Sequence, residues 1–533
     1  MKPFRFAVLF ACAAGAVPAG CAPGGDAARP GRHGAPASAP TLIVGAAVVD
    51  GTGSPGRISS VRLAGDRITG VGELQPTPED RVLEAPGLVL APGFIDTHSH
   101  AEQAIFDHPD ALAAVSQGIT TVIVGQDGES PYPLADFLSR LEASPAAVNL
   151  AAYAGHGTLR GEVLGEDFRR PATEEEIGAM RHLLGGELEA GALGLSTGLE
   201  YDPGIYADRD ELIALARRAA AAGGRYVSHV RSEDRGFWAA VDEILEIGSA
   251  AGIPVHISHL KLAMRSSWGK AEELLSRLDG ARAAGLEVTA DIYPYTYWQS
   301  TLTVLFPDRD FDDPRAAEFV LREIATPEGL LLSRFDPRPS QVGKTVAEIA
   351  RGRGVDPATA LMDLIREAEQ MRGRTGEHAE SVIGTSMDER DVERLMIWPF
   401  ADFCTDGELE GRHPRGFGTY PRILGRYVRE RRALTLEEAI RKMTGLAARN
   451  VGITGRGVIR PGAFADLVLF DPRTILDRAT PERPRAMSIG IEHVWVNGEI
   501  VFAAGRATGN RPGRVIRRRG TVDGSTRRQR DRS

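Results

Sequence analysis

His98 and His100 stand two residues apart at the end of an apolar run, Gly87 to His100. Side chains alternate faces along a strand, so residues i and i+2 project the same way. Two imidazoles on one face of a strand end can reach one metal ion, and neutral imidazole is a common zinc ligand. A lone His-x-His pair is often a loop accident, so its meaning depends on whether other ligands accompany it. Four accompany it here: Asp127 in Gly-Gln-Asp-Gly, His229 in His-Val-Arg, His259 in His-Leu-Lys, and Asp406 in Cys-Thr-Asp-Gly. Four histidines and two aspartates suffice for two divalent cations that share one carboxylate. Any one of them alone reads as packing; six together do not, because unpaired buried carboxylates are costly. Lys261 follows His259 by two residues and so shares its face, where an ammonium can meet a substrate carboxylate.

These residues need a scaffold that gathers strand ends. After residue 87 one rhythm repeats: a short apolar strand, a polar or glycine-rich knot, then a helical stretch. The strands end near His98–His100, Gly125–Gly128, Gly155–Gly157, Ser196–Gly198, His229–Arg231, His259–Lys261, Asp291–Tyr293 and Cys404–Gly407. Eight alternations predict an α/β fold of the (β/α)8 barrel type, whose active site forms at the C-terminal ends of its strands. All six candidate ligands fall there. His156, in a glycine-flanked turn, and His256, on the face opposite His259, read as structural or supporting residues.

The barrel is expected over 91–455. Residues 41–90 and 456–510 read as short strands and turns and are paired as one small β-sandwich built from both chain ends. The stretch from about 307 to 400 is too long for a loop and predicts a subdomain inserted before the last barrel strand. Trp298, Leu302 and Phe306 are expected as an apolar wall beside the site, which favours a neutral or apolar substrate side chain.

The chain has 533 residues and a net charge of −9, a balance that offers nothing to nucleic acid. Lys2 and Arg5 precede an apolar run from Phe6 to Gly20, too short to span a bilayer comfortably, so 1–21 is expected to be a signal peptide. Val17-Pro-Ala-Gly-Cys21 looks like a bacterial lipoprotein cleavage site, with Pro18 departing from the usual pattern and ordinary cleavage the alternative. The expected location is therefore exported, periplasmic or anchored to the membrane through lipid on Cys21, with 22–40 as a flexible linker. Cys404 is then the one remaining thiol and no structural disulfide is expected. Residues 511–533, rich in arginine, read as a disordered solvated tail.

The motifs Pro92-Gly-Phe-Ile-Asp-Thr-His-Ser-His, Gly155-His-Gly-Thr-Leu-Arg, Gly191-Ala-Leu-Gly-Leu-Ser-Thr-Gly-Leu-Glu-Tyr and Ser228-His-Val-Arg-Ser-Glu resemble those of the amidohydrolase superfamily. So do His256-Ile-Ser-His-Leu-Lys, Asp291-Ile-Tyr-Pro-Tyr, Thr405-Asp-Gly and Pro461-Gly-Ala-Phe-Ala-Asp-Leu-Val-Leu-Phe. Within the superfamily the chain resembles the D-aminoacylases (N-acyl-D-amino-acid deacylases), over about residues 41 to 510. The resemblance implies one or two divalent cations, zinc foremost: His98 and His100 on the more buried one, His229 and His259 on the other. Asp406 is implied as the catalytic acid/base, and Tyr201, Tyr293 and Arg415 as partners of the substrate carboxylate. The D configuration is implied by the resemblance alone. The family's typical D-aminoacylase has a cysteine where this chain has Asp127; a carboxylate also bridges two cations, but as a harder ligand it accepts metals other than zinc. The expected activity is hydrolysis of an N-acyl-D-amino acid by metal-activated water. The rival readings are a cyclic amide hydrolase or dipeptidase on the same barrel and, from another class, a non-catalytic binding barrel.

Overall fold

Eight short parallel strands carry the site: β1 (Phe94–Asp96), β2 (Ile119–Val124), β3 (Asn149–Ala152, resuming at Ala154–Gly155), β4 (Gly194–Gly198), β5 (Arg225–His229), β6 (Val255–Ile257), β7 (Val288–Ile292) and β8 (Ala401–Phe403). They pair in chain order, β1 to β3 in one ladder and the second part of β3 to β8 in another. The ring closes between the loops that carry the candidate ligands. The N–H of Asp406 donates to the His98 carbonyl at 2.8 Å, and that of His100 to the Gly407 carbonyl at 2.9 Å. The computed structural model describes residues 39–376 and 378–518. The expected signal peptide, Cys21, nearly all of the linker and the tail beyond 518 lie outside the described residues.

Barrel strands such as Ile-Thr-Thr-Val-Ile-Val (β2) are buried at every position, as befits parallel strands covered on both faces. The helices between them are bounded by ordinary chemistry. Thr173 and Glu176 form a capping box at the start of Glu174–Ala190, which stops at Gly191 in the left-handed region. The Asp208 side chain caps Arg209–Ala221 by accepting from the Glu211 N–H.

Strands from the N-terminal and C-terminal parts share one continuously hydrogen-bonded sheet. Leu467–Phe470 from the C-terminal part pairs antiparallel with Val89–Pro92 from the N-terminal part, which in turn pairs with Thr41–Val48. The sheet curls over its own core, which includes Ile43, Val61, Leu90, Leu467 and Trp495.

The insertion begins earlier than expected, at Tyr297. Tyr297–Ser300 pairs with Glu380–Thr385, which also pairs with Leu330–Phe335. Trp298 fixes this start, its indole N–H donating to the Ser386 hydroxyl at 2.7 Å. Leu302 and Phe306, expected as site wall, are instead fully buried core residues. The expectation of a disordered tail also fails for 511–518. The Leu150 N–H donates to the Arg514 carbonyl at 3.0 Å and the Ile516 N–H to the Leu150 carbonyl at 2.8 Å, while Ile516 packs against a barrel cluster. Arginine-rich composition hid the adjacent Val515 and Ile516, whose backbone has an open strand edge to fill. Among the described residues, no helix is long and apolar enough to cross a membrane.

Candidate metal centre and active site

Asp127 stands between two pairs of histidines. Its Oδ2 lies 3.3 Å from His98 Nε2 and 3.5 Å from His100 Nε2. Its Oδ1 lies 3.5 Å from His259 Nε2 and 3.9 Å from His229 Nδ1. Asp406 completes the first set, with Oδ1 at 3.6 Å from His98 Nε2 and 3.3 Å from His100 Nε2. Donors at about 2.0–2.1 Å from a tetrahedral zinc stand about 3.3–3.4 Å apart, so these spacings suit one ion in each set. The imidazole nitrogens of His229 and His259 face each other at only 2.9 Å, and Asp127 Oδ1 is buried without a hydrogen-bond donor. An oxygen buried beside two converging nitrogens fits a shared cation and is otherwise costly.

Backbone geometry aims these side chains. Asp127, His259 and Asp406 all have positive φ, at 54°, 36° and 49°. Non-glycine residues in the left-handed region are uncommon and cost about 1–3 kcal/mol each, a strain that concentrates at functional sites. Gly198 at the end of β4 lets the Asp127 loop approach, since a Cβ there would lie 1.9 Å from the Asp127 carbonyl oxygen. The Asp291 carboxylate, below the site, accepts from the His259 backbone N–H and meets His256 Nε2 at 2.9 Å. His256 is thus a supporting residue, as expected. His156 is one too: it is buried against Glu211 at 2.7 Å, away from the ligands.

The expected carboxylate-binding residues gather on one side. Arg415, at the start of the helix Arg415–Arg422, places Nη1 2.6 Å from Asp406 Oδ2 and leaves its buried Nε without a partner. Its guanidinium sits 5.0 Å from the Tyr293 ring centroid and the Lys261 ammonium 5.7 Å from it. The Tyr293 hydroxyl is buried and unpartnered. Burial alone would raise the Asp406 pKa, but Arg415 and the surrounding histidines hold it well below the usual carboxylate range. Burial disfavours charge on Lys261 as well, yet Glu233, an ion-pair partner, keeps it an ammonium. The Tyr201 hydroxyl lies nearer the histidines, 3.2 Å from His229 Nδ1.

These groups line a cavity that is also bounded by Ala263, Trp298, Val304, Leu305 and Ile324. Of the expected wall residues only Trp298 reaches it. Sequence reasoning also passed over Glu200 and Glu233, although both lie in the motifs quoted above and Glu233 follows His229 by four residues. Glu200 Oε2 meets His229 Nε2 at 2.9 Å, and Glu233 Oε1 is 3.3 Å from His259 Nδ1.

The candidate ligands are thus two histidines just after β1, one at the end of β5, one after β6, and an aspartate after each of β2 and β8. The model of the amidohydrolase family matches residues 81–398 and 405–502. The chain belongs to that family. This amidohydrolase is 39% identical to an N-acyl-D-glutamate deacylase of Alcaligenes xylosoxydans xylosoxydans, over 91% of this chain and 98% of that protein. It is 36% identical to a D-aminoacylase of the same organism, over 90% and 97%. Among solved structures it is similar to an N-acyl-D-glutamate deacylase from Bordetella bronchiseptica complexed with zinc and a phosphonate inhibitor that mimics the tetrahedral intermediate of the reaction. The TM-score is 0.80 and the identity 38%, over 90% of this chain and 99% of that one.

Proposed function

We propose that this amidohydrolase cleaves the amide bond of N-acyl-D-amino acids, releasing a carboxylate and a free D-amino acid. One observation carries the reading: two ligand sets bridged by Asp127 open, beside Asp406, onto a chamber that holds Lys261, Tyr293 and Arg415. The D configuration is taken from the deacylase relatives. His98, His100, Asp127 and Asp406 would hold one divalent cation and Asp127, His229 and His259 a second; imidazole and carboxylate donors suit zinc. Such a cation acidifies water at neutral pH and polarises a carbonyl.

The protein's own groups do the rest. Lys261, Tyr293 and the free Nε of Arg415 receive the substrate carboxylate, and a bidentate or multipoint grip on it fixes the amide over Asp406. The Asp406 carboxylate accepts a proton from the attacking water, whose oxygen adds to the acyl carbon. Asp406 then returns that proton to the nitrogen as the C–N bond breaks. Arg415 orients Asp406 throughout.

The apolar part of this lining favours apolar side chains. Among the described residues, Lys261 and Arg415 are the only Lys or Arg lining the chamber, and this reading assigns both to the substrate's α-carboxylate, which leaves neither for an acidic side chain. We expect kcat/KM for N-acetyl-D-leucine to exceed that for N-acetyl-D-glutamate by about tenfold or more, the scale at which pockets discriminate side chains. A panel of N-acyl-D and N-acyl-L amino acids, with and without chelator, tests the whole reading. Activity confined to L substrates, or indifferent to complete metal removal, overturns it.

We infer also that the chain is exported and lipidated at Cys21, from Lys2, Arg5, the apolar run and the small residues before the cysteine. Expression in a bacterial host should give a membrane-bound protein with an acylated N-terminal cysteine by mass spectrometry. Cys21→Ala should release it; an uncleaved cytoplasmic product would overturn the inference.

A further inference from the structure

We propose that Glu200 is a positioning residue for the metal centre, fixing the tautomer and direction of His229. The inference rests on the metal-dependent reading above. His229 has two ring nitrogens with different surroundings. Nδ1 faces His259 Nε2 at 2.9 Å and Asp127 Oδ1 at 3.9 Å. Nε2 points the opposite way, onto Glu200 Oε2 at 2.9 Å. A ligand nitrogen must present its lone pair, so the proton of neutral His229 has to reside on Nε2, where Glu200 accepts it. A carboxylate behind a ligating histidine sets ring orientation and strengthens the donor.

Glu200 is itself held for this task. Its second oxygen, Oε1, accepts from the Glu233 backbone N–H at 3.1 Å. Its carbonyl accepts from Arg309 Nη2 at 2.9 Å, and the same guanidinium contacts Asp202 Oδ1 at 3.1 Å. The residue is buried. Glu200, His229 and Glu233 lie close enough together to be ligands of a separate ion. Partner counting favours positioning: Glu200 Oε1 is engaged by the Glu233 backbone N–H, Glu200 Oε2 is in contact with His229 Nε2, and Glu233 Oε1 is taken by Lys261.

Nor is the contact matched around the other ring of the set or at the first site. Glu233 stands 3.3 Å from His259 Nδ1 but shares that oxygen with the lysine. Behind His98 and His100 the nearest carboxylates, Asp291 and Glu102, are both at 3.9 Å. Glu200 therefore makes the closest carboxylate backing of these four histidines.

The test measures zinc binding, independent of turnover. Apo-protein of the parent, Glu200→Gln and Glu200→Ala would be titrated with zinc against a chromophoric chelator, and the thermal midpoints of the apo forms compared. Removal of a supporting carboxylate of this type costs about 10–100-fold in metal affinity. We expect Glu200→Ala to lose that much for the weakened ion and Glu200→Gln, which keeps the hydrogen bond without the charge, to lose less. Apo midpoints should be unchanged. Equal zinc affinity in all three proteins overturns the proposal, as does a fall in apo stability that parallels the loss of affinity. Loss of one whole equivalent in Glu200→Gln and Glu200→Ala alike, with no titratable weaker binding, would make Glu200 a ligand and also overturn it. Failure of the parent itself to bind zinc would instead defeat the functional reading on which the proposal rests.

Discussion

At the scale of single residues the centre depends on Asp127 and Asp406, two carboxylates with different duties. Asp127 sends one oxygen to each histidine pair, so Asp127→Ala should impair both cation positions together. Asp127→Cys should restore binding and favour zinc over manganese, because thiolate is the softer donor. Metal content after dialysis against equal zinc and manganese checks this; an unchanged metal ratio in the cysteine variant would count against a bridging role. Asp406 moves protons. Asp406→Asn should lower kcat by about 10²–10⁴-fold while leaving KM close to the parent value, because the carboxylate grip of Lys261 and Tyr293 survives. Equal loss in KM and none in kcat would reassign Asp406 to binding. His98, His100, His229 and His259 were legible in the sequence because their strands end in recognisable apolar-to-polar breaks. Glu200 was not: it precedes Tyr201 in a segment without period, and only folding turns it toward a histidine 29 residues away.

At the scale of elements, the barrel order was readable because each strand is a short buried run followed by its own helix. The insertion was less so. Its first strand, Tyr297–Ser300, finds its partner more than eighty residues later in Glu380–Thr385, and such antiparallel pairing leaves no local signal beyond Trp298 and Gly384. Glu380 shows what that fold imposes. Its Oε1 accepts from the Leu302 N–H at 2.7 Å, and its Oε2 is buried without a partner. Burial pushes its pKa up from an ordinary 4.5 to about 8; Glu369 adds to the rise, while the Leu302 N–H, Arg334 and Arg372 oppose it. Between those two values the folded state holds a proton that the unfolded chain has released, so this contribution to stability falls as pH rises. Glu380→Gln keeps the acceptor and removes the titration. It should therefore be more stable than the parent near pH 8, with the difference vanishing toward pH 4.5. Denaturant midpoints across that range measure it, and a pH-independent difference would show that Glu380 remains ionised.

At the scale of the whole molecule, residues 513–518 help to finish the barrel at the ends of its strands away from the candidate ligands. The contact of β3 with the β4 side starts only where the Leu193 N–H meets the Ala152 carbonyl at 2.8 Å. The edge of β3 before that point would be open, and open strand edges are liabilities. Residues 513–516 fill it: the Gly513 N–H donates to the Ala146 carbonyl at 2.9 Å, and Val515 bridges to Leu150. The Arg518 N–H then continues to the Gly191 carbonyl at 3.1 Å, just before β4. A chain ending at Asn510 should therefore lose about 2–6 kcal/mol, the net worth of the four backbone hydrogen bonds that residues 513–518 make, whereas one ending at Arg518 should keep the parent's stability. Hydrogen exchange should show the loss at residues 149–151, while zinc content and the KM of the folded fraction stay the same, because the ligands cluster at the other ends of the strands. If both truncations unfold alike, residues beyond Arg518 carry the stabilisation and the edge-filling account of 511–518 is wrong.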